Sequence, residues 1–247
     1  MADNIQLGII GSAGRMGKAL AAHLETVEGI ECTARLEAGG SIEDFLAAKP
    51  DVAVDLSLGR AVADNGAVVV GAGIPYIVGA TGTARSVLDK LAELAAENNT
   101  PVLIVPNFSI GANLMIKFAV SAAKLMDYPV ITERHHEQKL DAPSGTAKFT
   151  AGRMSEVRIL DDHAEKHFGE VADGALGARF HGIPVHSIRG SGYLAEQEVR
   201  FTLPGEVLSI EHSSSDRNCF MPGIVYAIRN IHKVSGLAIG LDTILDT

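Results

Sequence analysis

The chain has 247 residues, 47% of them apolar, with 21 Lys and Arg against 30 Asp and Glu and a formal net charge of −9. That length allows one large domain or two modest ones, and the composition excludes a disordered chain. The acidic balance, with no basic run longer than two residues, argues against nucleic acid or an anionic membrane surface as partner.

Two cysteines, Cys32 and Cys219, match neither a disulfide framework nor a zinc ligand set, so a reducing, cytoplasmic setting is expected and no resident metal. The opening MADNIQLGII lacks the basic and long apolar regions of a signal peptide. Apolar runs such as 67–74 are too short to span a bilayer.

In chain order, residues 5–10 (IQLGII) read as a buried strand, and Gly11-Ser-Ala-Gly-Arg-Met-Gly17 leads into a helix reaching about Thr26. A second strand fits 30–36, ending beside Glu37. A short helix over 41–48 has Ser41 as cap and Asp44 at the third position. Strands at 52–56, 74–78 and 101–105 alternate with helices at 61–72 and 85–98. Unbroken apolar strands alternating with helices predict a Rossmann-like, doubly wound parallel sheet. After Asn107 the pattern changes. A helix fits 111–126, a strand 130–137 and a helix 144–157, and residues 159–182 are polar and loop-like. Strands at 185–189, 196–202 and 207–211, with a Pro204-Gly205 turn, predict a second α+β domain with a mixed sheet. The tail reads as helix over 216–232 and a short strand over 237–241.

Two regions carry chemistry. The first is the glycine loop. Between a strand and a helix, Gly11, Gly14 and Gly17 allow a tight turn, close approach of a pyrophosphate and close helix packing. The spacing, G-x-x-G-x-x-G, departs from the usual fingerprint, and an ordinary βα turn would look similar. Glu37, twenty residues on, can accept from a ribose 2′-hydroxyl and favours NAD(H). Arg15 and Arg35 leave NADP(H) open. The later strand-end loops, 79–82 and 106–109, are placed to touch the nicotinamide half or are turns chosen for geometry.

The second is ERHHEQKLDAPSGTA, residues 133–147. If 131–139 is extended, Glu133, His135, Glu137 and Lys139 share one face while Arg134 and His136 face the other. Neighbours on a strand cannot ligate one ion together, which weakens a metal reading, as does the polar, glycine-bounded setting of His163 and His167. Proton transfer by His135 and Lys139 fits better. A helix opening at Ser144, with the N–H groups of Gly145 and Thr146 at its positive end, suits a carboxylate. A capped helix after a strand, with solvated histidines, is the plainer alternative. Ser144 as a nucleophile lacks its G-x-S-x-G context.

This stretch, with GSAGRMG, LEAG at 36–39, PNFSIGANL from 106, GIPVHSIR at 182–189, EQEVRF at 196–201 and SSDRNCFMPG at 214–223, resembles the dihydrodipicolinate reductase family over nearly the full length. The resemblance implies NAD(P)H-dependent reduction of 4-hydroxy-tetrahydrodipicolinate in lysine and diaminopimelate biosynthesis. It implies His135 as proton donor and acceptor, Lys139 as a second proton donor, and His136, Gly145 and Thr146 holding the substrate's carboxylates. Cofactor contacts would come from Gly11, Ser12, Ala13, Gly14, Arg15, Met16 and Glu37. Further contacts would come from Gly79, Ala80, Thr81, Pro106, Asn107, Phe108 and Ser109. It also implies a dinucleotide-binding domain of 1–107 and 218–247, and a substrate-binding and oligomerisation domain of 108–217 that builds a homotetramer. One departure stands out: where many members carry Arg or His after VDLS, this chain has Leu58, which with Glu37 leans towards NADH. A catalytically inactive dinucleotide-binding regulator, or a reductase of another cyclic imine acid, remains the alternative.

Overall fold

The computed structural model describes residues 4–80, 83–157 and 170–246. The chain divides into two units, Met1–Ile110 with Asn218–Thr247, and Gly111–Arg217.

The first unit is a six-stranded parallel sheet. Its strands are β1 (Ile5–Ile10), β2 (Ile30–Leu36), β3 (Val52–Asp55), β4 (Tyr76–Val78), β5 (Val102–Ile104) and the C-terminal β11 (Leu237–Ile239). Their order is β11-β5-β4-β3-β1-β2. Apolar side chains on both faces of each strand require cover on both faces. Helices α1 (Arg15–Leu24) and α7 (Met221–Asn230) supply one layer, with Leu20, Ile224 and Ile228 against Leu7, Ile9 and Leu103. Helices α2 (Ile42–Ala47), α3 (Val62–Gly71) and α4 (Arg85–Glu97) supply the other, with Phe45, Val69 and Leu91 near Ala53, Tyr76 and Val102. The predicted cap is present: Asp44 N–H donates to Ser41 Oγ at 3.0 Å. Strands β4 and β5 start one residue after Pro75 and Pro101, which lack an N–H but whose carbonyls accept from Ala53 and Tyr76. Strand order reverses between β1 and β3, each of which lies next to the other at the sheet's centre, and this is where such sheets bind ligands.

The second unit pairs two helices with a five-stranded mixed sheet. Helix α5 spans Ile110–Ala123 and α6 spans Gly145–Ser155. The strands are β6 (Val130–His135), β7 (Ala178–Phe180), β8 (Ile183–Arg189), β9 (Ala195–Leu203) and β10 (Glu206–Ser214), in the order β10-β9-β6-β8-β7. Its core joins Met115, Ile116, Ala147 and Met154 of the helices to Ile131, Val185, Val199 and Phe201 of the sheet. The hairpin between β9 and β10 turns at Pro204-Gly205, as expected, with Leu203 opposite Glu206. Strand β7 falls inside the stretch expected to be loop. Its hairpin to β8 turns on His181 and Gly182, both at positive φ (53° and 80°), the geometry of a two-residue primed turn. His-Gly gives a weaker turn signal than Asn-Gly, and β7 is exposed at two of its three positions. The tail helix is shorter than 216–232: 3₁₀ turns at Arg217–Phe220 and Ile231–Lys233 flank α7.

Candidate functional site

In the first unit, glycine builds the turn after β1. Gly11 sits at φ +79°, and its N–H donates to the Leu36 carbonyl at 2.8 Å, tying the loop to β2. A Cβ on Gly11 would lie 2.8 Å from the Ser57 nitrogen, and one on Gly17 only 2.4 Å from the Gly11 oxygen. Only glycine lets α1 approach its own strand so closely. Gly14 caps α1 with no side-chain hydrogen bond, and no acid lies in the first turn, so the helix presents backbone N–H groups and a positive dipole end. This cradle fits a dinucleotide pyrophosphate.

A cleft of about 500 Å³ opens on that cradle. Gly11, Ala13 and Gly14 line it from the loop, Leu36, Glu37 and Gly40 from the end of β2, and Leu56, Ser57, Leu58 and Arg60 from the loop after β3. Glu37 is exposed, and Ser12 Oγ donates to its carboxylate at 3.4 Å. Arg35 is engaged with Cys32 on its own strand, Nε to Sγ at 3.4 Å. Beneath the cleft, fully buried Asp55 accepts from Tyr76 Oη (2.5 Å), Asn65 Nδ2 (2.8 Å) and the Ser57 N–H (2.8 Å). Burial, reinforced by the Asp55 charge, pushes the Tyr76 phenol well above its ordinary value, so it stays a donor. These bonds fix the β3 loop that forms one wall.

The other expected cofactor residues are placed differently. Ser12, Arg15, Met16, Gly79, Ala80, Pro106, Asn107, Phe108 and Ser109 do not line this cleft. Phe108 is 4% exposed and packs in the core against Gly79. Ala80 and Ser109 are buried. Thr81 and Gly82 lie outside the described residues, as do His163 and His167. Arg60, Asn65 and Asp55 escaped the sequence reading. The motif VDLS held a signal, since an acid ending a buried apolar strand needs donors.

In the second unit, strand alternation holds only as far as β6 runs. Glu133 and His135 share the helix-covered face. Arg134 turns to the other, where it meets Glu211 at 3.2 Å, Glu196 at 3.7 Å and Glu198 at 3.9 Å. The strand ends at His135 rather than reaching 137, and a turn follows in which the Lys139 N–H donates to the His136 carbonyl at 3.1 Å. Lys139 therefore does not join His135 by extended alternation; a loop delivers it. Its Nζ donates to Asp141 Oδ1 at 2.7 Å, and that bond holds the Asp141 carboxyl below its usual range. Helix α6 starts as expected: Ser144 Oγ accepts from the Ala147 N–H at 3.1 Å, and Gly145 opens the helix with clear space around its Cα. Thr146 is half-buried at the second helical position, and His136 is half-buried in the turn.

A polar row crosses this sheet where the apolar core stops. His212, Gln197, Glu133 and Ser187 lie side by side on β10, β9, β6 and β8. Next along comes the pair His135 and Arg189. Glu133 is fully buried, and its carboxylate is surrounded by donors. Arg189 meets it with both terminal nitrogens at 2.9 Å, His135 Nδ1 lies 2.5 Å from Oε2, and the Ser144 N–H reaches Oε1 at 3.2 Å. Burial alone would raise this carboxyl, but bonds from His135, Arg189 and Ser187 outweigh it and hold Glu133 at about 2. A buried carboxylate gripping one imidazole nitrogen leaves the other for chemistry. No cluster of three or more metal-ligating side chains occurs among the described residues. Nor is any helix among them long and apolar enough to cross a membrane.

A doubly wound sheet with a glycine cradle at its switch point and an acid at the end of the neighbouring β2, together with a unit built around a histidine on a buried carboxylate, mark a two-unit protein of the dinucleotide-binding class. Comparison with known proteins narrows this. The chain matches the family described as "Dihydrodipicolinate reductase, N-terminus" over residues 5–108 and "Dihydrodipicolinate reductase, C-terminus" over 111–245. It is 39% identical over 243 residues to the 4-hydroxy-tetrahydrodipicolinate reductase of Mycolicibacterium vanbaalenii, covering 98% of this chain and 99% of that one. The Nocardia farcinica protein of the same name is 40% identical over 245 residues, with the same coverage. A dipicolinate-bound dihydrodipicolinate reductase from Paenisporosarcina sp. TG-14 superposes with a TM-score of 0.87 at 33% identity, covering 98% of this chain and 100% of that one. More distant likenesses, such as GenD2 in complex with NAD (TM-score 0.60, 14% identity, 94% and 86% covered), show the fold alone. The chain belongs to the dihydrodipicolinate reductase family.

Proposed function

We propose that this protein reduces 4-hydroxy-tetrahydrodipicolinate to tetrahydrodipicolinate, releasing water, in lysine and diaminopimelate biosynthesis. The observation that carries the reading is the Glu133–His135 pair, with Lys139 four residues after His135 and α6 opening ten residues after it, within a chain of this family. A catalytically silent dinucleotide binder has no need of an imidazole gripped by a buried carboxylate.

A bound reduced nicotinamide supplies a hydride to C4 of the ring, from which water departs. The chain's own residues do the rest. Gly11, Ser12, Ala13, Gly14, Arg15 and Met16 hold the pyrophosphate on the start of α1. Glu37 accepts from the ribose, and the loops carrying Gly79, Ala80 and Thr81 and Pro106 to Ser109 border the nicotinamide half. The first unit is thus the dinucleotide-binding domain and the second the substrate domain. Gly145, Thr146 and His136 hold the substrate's two carboxylates at the positive end of α6. As charge moves onto the ring, His135 and Lys139 supply the single proton that balances the hydride and neutralise the developing negative charge. Glu37 and Leu58 favour NADH; Arg60, lining the same cleft, offers a cation to a 2′-phosphate and keeps NADPH usable. The enzyme works in the cytoplasm as a homotetramer.

The test couples the protein to dihydrodipicolinate synthase with pyruvate and aspartate semialdehyde, and follows loss of the near-ultraviolet absorbance of NADH or NADPH. Lys139→Ala should lower turnover about 10²–10⁴-fold, the usual contribution of a positioned proton donor, with NADH binding nearly intact. Oxidation of neither cofactor by the unaltered protein would refute the reading, and undiminished turnover by Lys139→Ala would refute that residue's role.

A further inference from the structure

Glu133 and Arg189 form more bonds than a simple ion pair would need. The carboxylate and the guanidinium already neutralise each other through two bonds of 2.9 Å. Even so, Glu133 Oε2 also engages His135 Nδ1, while Oε1 takes the Ser144 N–H. Arg189 in turn reaches past Glu133: its Nη2 donates to the Asp141 carbonyl at 2.7 Å, on the loop that carries Lys139. A single guanidinium is thus bonded both to the acid that grips His135 and to the loop that holds Lys139.

We infer that Glu133 and Arg189 are positioning residues for the proton chemistry: Glu133 fixes His135 as the Nδ1–H tautomer, and Arg189 sets the spacing between His135 and Lys139. This rests on the proton-donor reading of His135 given above. Glu133 is buried with every side occupied, so it cannot turn away, and an ionised carboxylate can only accept. The proton between them therefore belongs to Nδ1, and the proton that comes and goes is on Nε2. The charged groups around the imidazole are Glu133 on its own strand, Arg189 opposite it on β8, and the Lys139–Asp141 pair in the following loop. Ala195, opposite on β9, adds none. Arg189 balances the Glu133 charge through its two bonds to the carboxylate. Lysine at 189 would keep the charge but not the planar fork that serves two sites at once.

The decisive experiment reads the tautomer directly. Long-range ¹H–¹⁵N correlation on the full-length, ¹⁵N-labelled protein, with His135→Gln to assign the signal, should show His135 as Nδ1–H when neutral; an Nε2–H tautomer overturns the inference. Glu133→Gln should erase that preference and lower kcat about 10–100-fold while leaving the KM for NADH within about twofold. A folded Glu133→Gln protein with the parental kcat and an intact Nδ1–H preference overturns the inference. Should Glu133→Gln fail to fold, Arg189→Lys decides: kcat should fall with the Nδ1–H tautomer retained, and an unchanged kcat overturns the role of Arg189. Full turnover by His135→Gln would overturn the proton-donor reading itself, and with it this inference.

Discussion

Replacing Gly17 by alanine tests the cofactor cradle at its tightest point. The added Cβ would lie 2.4 Å from the Gly11 carbonyl oxygen, 2.7 Å from Ser12 Cα and 2.9 Å from the Ser12 carbonyl carbon. All three are backbone atoms of a loop already tied to β2 through the Leu36 carbonyl, so no side chain can swing aside. Ordinary contact begins at 3.4 Å, and the start of α1 must therefore retreat by about 1 Å. That movement strains a helix held by fully buried Leu20 and nearly buried Leu24. Overpacking of this kind costs about 1–3 kcal/mol. At about 2–4 °C per kcal/mol for a chain of this size, Tm should fall by about 2–12 °C. The helix start would also leave the phosphates it is meant to hold, and NADH affinity should drop at least about tenfold. Gly14→Ala is the control: its Cβ meets only the Gly11 oxygen, at 3.1 Å, and its φ of −68° suits alanine. It should lose less than about 1 kcal/mol of stability. Calorimetry and a fluorescence titration with NADH measure both quantities. A Gly17→Ala protein with unaltered Tm and NADH affinity would show that the close packing of loop and helix does not matter, and the cradle argument would fail.

Two other expectations follow from the same geometry. Glu133 is held at about 2 in the folded chain against an ordinary 4.5, so it stabilises the fold above pH 4.5 and that contribution is lost as pH falls towards 2. The gap is worth about 3 kcal/mol, so urea unfolding between pH 7 and about 3 should weaken more steeply in the natural protein than in Glu133→Gln; parallel curves would contradict the assignment. Arg60→Ala should raise the KM for NADPH about fivefold, as for loss of one exposed ion pair, and leave that for NADH unchanged; equal effects on both cofactors would mean that Arg60 contacts something other than the 2′-phosphate.

Local sequence determined much of this protein. Apolar runs and turn residues specify the parallel strands, Ser41 and Ser144 mark their helix starts, and Pro204-Gly205 places a hairpin, because each depends on nearest neighbours and periodicity alone. The glycine loop with Glu37 and the 133–147 stretch stand out as candidates for the same reason: their residues are contiguous in the chain. Tertiary structure decided what depends on pairing between distant residues. Arg189 is 56 positions from Glu133, and only the β6–β8 register makes them partners. Burial of Asp55 is what turns Tyr76 and Asn65 into its donors. Alternation placed Glu133 and His135 together correctly but could not see β6 end at His135, since a strand stops where its neighbours stop, and so Lys139 reaches the site by a loop. In the same way the burial of Phe108 against Gly79 is a contact that only the folded sheet creates.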